Sequence, residues 1–130
     1  MKPLTNRQFG ALGEKFAADH LKQHGYKILE KNYKNRLGEL DIIAKKDGII
    51  VFAEVKTRPV DAAVAGMYAV DKRKQFHIFR TASRYLEESG TDLQPRFDVI
   101  EVTVDRAAGK LVSVNHLEAA FSQTEPYARF

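Results

Sequence analysis

The chain has 130 residues, 44% of them hydrophobic and 29% charged, which is enough for one domain with its own core and too few to expect two. It contains no cysteine, so disulfide frameworks, thiolate metal sites and cysteine nucleophiles are excluded. The formal net charge of +4 suits a polyanionic partner, because lysine and arginine release counterions from phosphates, without requiring one.

The amino-terminal stretch MKPLTNRQFGALGEKF has no continuous apolar region and no small-residue cleavage site, so a secretory signal is not expected. No apolar run approaches the roughly 20 residues that span a bilayer. The expectation is a soluble cytoplasmic protein without a membrane partner, folded as a single domain over residues 1–130. Phe9, Leu12, Phe16, Ala17 and Leu21 recur at helical spacing between Asn6 and His24, with Thr5 or Asn6 to cap the start and Gly25 to end it. Tyr26 to Tyr33 alternates as a strand, and Lys34 to Leu37 reads as a turn.

GELDIIAKKDGIIVFAEVKTR, from Gly38 to Arg58, reads as two strands about a tight Asp47-Gly48 turn, a pair that tolerates the positive φ of a type I′ hairpin. Counting from that turn pairs Lys46 with Ile49, Ala44 with Val51, Ile42 with Ala53 and Leu40 with Val55 on one apolar face. The other face pairs Ile43 with Phe52, Asp41 with Glu54 and Glu39 with Lys56. Facing carboxylates destabilise a sheet, more so beside Ile43 and Phe52. Three arrangements relieve them: a solvated face, a shared proton, or a divalent cation. Oxygen ligands without cysteine or paired histidines favour Mg²⁺ or Mn²⁺ over zinc. Lys56, two residues beyond Glu54 and on the same face, adds an ammonium that can orient a water or stabilise phosphate charge.

Pro59 to Val70 lacks periodicity and is a long connection, with Gly66, Met67 and Tyr68 able to close over a substrate or simply to form a loop. Asp71 to Ser89 is a second helix with Ile78, Phe79, Ala82, Tyr85 and Leu86 on one face, ended by Gly90. Gln75 falls in that apolar face and needs a partner. Arg96 to Val104 and Lys110 to Val114 are strands about an Asp105–Gly109 turn, and His116 to Phe121 could form a short terminal helix. The order αβββαββ predicts a mixed α/β domain with a mainly antiparallel sheet and a helix on each face.

Asp41 followed by Glu54-x-Lys56 resembles the PD-(D/E)XK nuclease superfamily, and further blocks resemble the bacterial YraN family of predicted endonucleases. These are Gly10-x-x-Gly13-Glu14-x-x-Ala17-x-x-His20-Leu21, GELDIIA, VFAEVKTR, Ala69-Val70-Asp71 with Lys74-Gln75, Ala82 with Tyr85-Leu86, Arg96-Phe97-Asp98-Val99-Ile100 and Ala119-Ala120-Phe121. Leu40 stands where the superfamily's eponymous proline would be.

The resemblance implies a restriction-endonuclease-like αβββαβ core, with a mixed central sheet flanked by helices on both faces. It implies a Mg²⁺-dependent endonuclease acting on nucleic acid, DNA foremost and branched DNA by analogy with Holliday-junction resolvases. Asp41 and Glu54 would be metal ligands, with the Val55 carbonyl as a further one, and Lys56 the catalytic lysine. Glu14 matches an acidic residue on the first helix of those resolvases, and equally suits an exposed helical position. Gln75 is similar to a glutamine on the second core helix of several such nucleases, although a structural hydrogen bond also explains it. Arg58, Lys72 and Lys74 are candidate phosphate contacts or solvated surface. A homodimer would suit cleavage of two strands. The alternative from another class is a noncatalytic nucleic-acid-binding or protein-interaction module that keeps the nuclease fold.

Overall fold

Asp47-Gly48 fixes the middle of the fold. Both residues have positive φ, 48° and 79°, as a type I′ turn requires, and the flanking strands pair Lys46 with Ile49, Ala44 with Val51, Ile43 with Phe52 and Ile42 with Ala53. The computed structural model describes residues 2–61 and 70–122. Its elements run α1 (Asn6–Gln23), β1 (Lys27–Asn35), β2 (Gly38–Lys46), β3 (Ile49–Pro59), α2 (Lys72–Ser89), β4 (Gln94–Asp105) and β5 (Lys110–Phe121).

The five strands lie in the order β1-β2-β3-β4-β5. All neighbours are antiparallel except β3 and β4, which are parallel. A parallel neighbour needs a crossover, which the chain containing α2 supplies. The result is a mixed α/β sheet with one helix on each face, consistent with the restriction-endonuclease-like core expected from the sequence. Of the expected Pro59–Val70 connection, Gly66, Met67 and Tyr68 fall outside the described residues.

Thr5 caps α1 through a reciprocal pair of bonds: its hydroxyl accepts from the Gln8 N–H at 3.2 Å, and its own N–H donates to Gln8 Oε1 at 2.9 Å. Gly25, with φ of 87°, lets the chain leave the helix while the Tyr26 N–H donates back to the Leu21 carbonyl at 2.9 Å. Phe9, Ala17, Ala18 and Leu21 bury against Ile42, Ala44, Val51, Ala53, Ile100 and Val102 on one sheet face. Contact is closest at Gly13, where an added Cβ would lie 1.9 Å from Thr57 Oγ1, so this position has no room for a side chain. That approach brings the next residue, Glu14, down toward the sheet.

Asp71 caps α2 by accepting the Lys74 N–H at 2.8 Å, and Gly90 ends it in the left-handed conformation. Ile78, Phe79 and Ala82 bury against Leu40, Ile43, Ile50, Phe52 and Phe97 on the other sheet face. The helix spacing that marked Ile78, Phe79 and Ala82 in the sequence therefore selects the buried stripe.

The short helix expected over His116 to Phe121 does not form. Those residues continue β5, with His116 opposite Ile100, Leu117 opposite Val99 and Phe121 opposite Phe97. Pairing with β4 outweighs the helical preference of Leu117, Glu118, Ala119 and Ala120. The register shifts between Phe97 and Val99, and Ala119 takes a φ of 49°. This bulge turns the Ala119 N–H onto Asp98 Oδ1 at 2.9 Å.

Asp98, fully buried, is the polar centre of the α1 side. Arg96 binds it with two nitrogens at 2.9 and 2.7 Å, and His116 Nε2 lies 2.7 Å from it. Arg96 continues to the Tyr26 hydroxyl at 2.6 Å, and His116 Nδ1 meets His20 Nε2 at 3.1 Å. Burial alone would raise the Asp98 pKa, but hydrogen bonds from His116, Arg96 and the Ala119 N–H outweigh it and hold the carboxyl below its ordinary value. A lowered pKa contributes stability above the unfolded carboxylate value, and that contribution is lost as pH falls through the folded one. Asp98→Ala leaves Arg96 and His116 without their shared acceptor and is expected to cost about 3 kcal/mol in urea unfolding near neutral pH. The difference from wild type should shrink in acid, and a neutral-pH loss below about 1 kcal/mol would contradict this role for Asp98.

Candidate active site

The ladder between β2 and β3 ends at Ile42–Ala53, so the facing pairs expected beyond it are not formed as ladder pairs. Asp41 Oδ2 instead accepts the Val55 N–H at 2.8 Å, a side chain standing where a backbone carbonyl would otherwise serve. Leu40 also departs from the expectation: it packs with Ile43 and Phe52 on the α2 side and not on the face of Ile42. On β1, the pairs Lys31–Ile42 and Tyr33–Leu40 bracket Asn32, whose φ is 52°. A left-handed residue there interrupts the regular pleat at the level of Asp41, which accounts for the broken alternation.

Strict pairing is not needed to bring the carboxylates together. Asp41 and Glu54 are hydrogen-bonded to each other, and both line a cavity of about 430 Å³ between the start of β2 and the first turns of α2. Burial raises the pKa of both groups. At Asp41 the Val55 N–H and Lys74 oppose that rise, while at Glu54 the Asp41 charge adds to it and Lys74 opposes it.

Lys74, named from sequence as a phosphate contact, reaches across from α2 and places Nζ 2.6 Å from Glu54 Oε1. Glu54 thus receives a cation from the second helix. Lys56 is exposed and opposite Glu101 in the parallel register of β3 and β4. Arg58, also named as a phosphate contact, binds the buried Glu101 at 3.1 Å. Gln75 donates to the Val70 carbonyl at 2.8 Å, which satisfies its amide at the entry to α2. Lys72 is exposed on the first turn of that helix.

Glu14 hydrogen-bonds to Asn32, and its pKa is raised by burial, with the Asp41 charge contributing in the same direction. It thus lies within electrostatic reach of the pair. Among the described residues, however, no three His, Cys, Asp or Glu side chains are arranged to hold a metal ion. The available donor set is Asp41 and Glu54. Two oxygen donors at a solvent-open cavity fit Mg²⁺, which keeps several waters and uses one or two carboxylates, better than a cation that demands a full protein cage. His77 and Thr81 also line the cavity and were not singled out from sequence. Glu101 was missed as well, although a glutamate inside the apolar run RFDVIEVTV marks a buried carboxylate in need of a partner.

The family model of "Uncharacterised protein family UPF0102" matches residues 13–102. A UPF0102 protein of Caldanaerobacter subterraneus is 44% identical over 122 residues, covering 93% of this chain and 100% of the relative. One from Alkaliphilus oremlandii is 44% identical over 119 residues, covering 89% and 99% respectively. A third, from Dictyoglomus thermophilum, is 38% identical over 120 residues, covering 91% and 100%.

A raised carboxyl pKa means that the folded protein holds its proton more tightly than the unfolded chain, so stability falls as pH rises through the raised value. Near neutral pH the Asp41–Glu54 pair therefore costs stability when no other cation is added. Glu54→Gln is expected to raise Tm by about 4 °C in metal-free buffer near neutrality, and the gain should shrink as pH falls below the ordinary carboxylate range, where the carboxyl groups are protonated in folded and unfolded chain alike. A lower Tm at neutral pH would show that the Lys74 ion pair outweighs the repulsion.

Proposed function

The chain belongs to the UPF0102 family, and we propose that it is a metal-dependent endonuclease that hydrolyses phosphodiester bonds in DNA. The observation that carries this reading is the contact between Asp41 and Glu54 in the lining of an open cavity, where burial raises both pKa values and the Asp41 charge raises that of Glu54 further. Keeping two carboxylates in such a place has a chemical use when a cation is to be held there. The resemblance of Asp41, Glu54 and Lys56 to the PD-(D/E)XK pattern supports the same conclusion.

Asp41 and Glu54 would hold Mg²⁺ or Mn²⁺, with Glu14 and the Val55 carbonyl as further candidates. When bound, the metal would lower the pKa of a coordinated water and neutralise charge on the phosphate. The Val55 N–H fixes the orientation of Asp41 from the neighbouring strand. Lys56 lies on the same strand face as Glu54, where its ammonium can stand beside the attacking water and the scissile phosphate. Lys74 offsets charge on Glu54 and would turn to the substrate phosphate once a metal ion takes over that role. Branched DNA is the first structure-specific substrate to test, and a dimer would allow paired cuts.

The 2.6 Å contact between Lys74 and Glu54 also favours a second reading, in which lysine permanently occupies the acidic pair and the protein binds nucleic acid without cutting it. A panel of single-stranded, duplex, flap and four-way DNA, together with RNA, separates the two. Incubated with Mg²⁺ or Mn²⁺, wild type should cleave at least one DNA, and Glu54→Ala and Lys56→Ala should each lower the rate by on the order of 100-fold or more. Binding without metal-dependent cleavage across the panel, or cleavage unchanged in both variants, would overturn the nuclease reading.

A further inference from the structure

The cavity at Asp41 and Glu54 has a basic neighbour that the proposed chemistry does not use. Asn35, Arg36 and Leu37 of the β1–β2 turn, with Arg84 and Glu88 of α2, line a second cavity of about 220 Å³. The two cavities are lined by successive residues of the same elements: Gly38 and Glu39, at the start of β2, follow directly on Leu37 and line the first, and Lys74, His77 and Thr81 line it from the helix that carries Arg84 and Glu88.

The wall between them is fixed. Asn35 Nδ2 donates to the Thr81 carbonyl at 3.2 Å, and the buried Thr81 donates its hydroxyl to the His77 carbonyl at 2.8 Å. At Gly38 an added Cβ would come within 2.7 Å of Thr81 Oγ1, so the turn lies directly on the helix. Arg36 and Arg84 are consequently presented from two elements whose separation is set by packing. Arg84 lies ten residues beyond Lys74 on α2, about 15 Å along the helix at 1.5 Å per residue. That distance corresponds to about four base steps along one DNA strand.

We propose, resting on the nuclease reading above, that Arg36 and Arg84 form a second phosphate subsite. One DNA strand engaged at Asp41 and Glu54 continues along α2, past His77, and is held by its backbone in this basic cavity. Arginine suits the task because its planar fork binds phosphate oxygens in pairs. Glu88, whose Oε2 lies 3.3 Å from Arg84 Nε, competes with the phosphate for the same guanidinium. The subsite reads backbone and not sequence, so it sets register and affinity on any DNA the protein accepts.

Fluorescence anisotropy with labelled single-stranded and duplex oligonucleotides in EDTA tests this without requiring hydrolysis. Arg36→Ala/Arg84→Ala, checked for a wild-type circular dichroism spectrum and Tm, should weaken binding by about tenfold at low salt and reduce the slope of log K against log salt by about 1 to 2. Glu88→Gln should tighten binding by about threefold, because it removes the competing carboxylate. Lys15→Ala, on the helix packed against the opposite sheet face, serves as the control and should leave binding within twofold of wild type. Unchanged affinity and salt slope in the double variant, or an equal loss in Lys15→Ala, would overturn the subsite and leave the Asp41–Glu54 chemistry to be judged by cleavage. If the double variant binds normally while Glu54→Ala abolishes cutting, only the subsite falls.

Discussion

The two-residue turn at Asp47-Gly48 is the constraint on which the rest of the structure depends. Positive φ at both positions fixes the phase of β2 against β3, and side chains in a sheet alternate with a period of two. A slip by one residue would send Ile42, Ala44, Val51 and Ala53 away from α1 and take Glu54 from the α2 side. The same turn therefore selects both hydrophobic clusters and the face that carries the acidic pair. The helices then close the sheet, with Gly13 lying on Thr57 and Gly38 on Thr81 at the places where backbone must come nearest to a neighbouring side chain.

The candidate site begins where this regularity stops. Beyond Ile42–Ala53 the hairpin ladder ends, and Asp41 satisfies the Val55 N–H with its own carboxylate. A backbone donor is thus used to anchor a side chain that burial makes costly to ionise. Lys74 relieves part of the charge on Glu54 from across the cavity. The contrast with Asp98 is instructive, because that carboxylate is more deeply enclosed yet has its pKa lowered by Arg96, His116 and the Ala119 N–H. One buried acid is fully supplied with donors and serves the fold. The Asp41–Glu54 pair is under-supplied and open to solvent on one side, which suits binding of an additional cation.

Much of this was legible in the sequence, and the failures have physical causes. The helix stripes, both helix ends and the register next to the turn follow from periodicity, caps and the Asp-Gly pair. The join between Asp41 and Glu54 was also reached by counting, although the contact arises across parting strands and not within a ladder. Positive φ at Asn32 and the resulting displacement of Leu40 are set by tertiary packing, and an asparagine within an alternating segment gives little warning of them. Residues His116 to Phe121 carry helix-forming types, yet the open edge of β4 and the Asp98 carboxylate make a strand the better partner. Lys74 was visible as a cation near the site, but its choice of Glu54 depends on where α2 crosses the sheet. No local pattern encodes that crossing.

On the proposed function, the Asp41–Glu54 pair is a cation site for which Lys74 is the internal substitute. It is tested most directly by titrating the protein with Mn²⁺ and following free metal by electron paramagnetic resonance. Wild type should bind Mn²⁺ saturably, Glu54→Gln should lose that binding by at least about tenfold, and Lys74→Met, where the competing ammonium is gone, should bind more tightly. Equal Mn²⁺ affinity in wild type and Glu54→Gln, or weaker binding in a folded Lys74→Met, would contradict it.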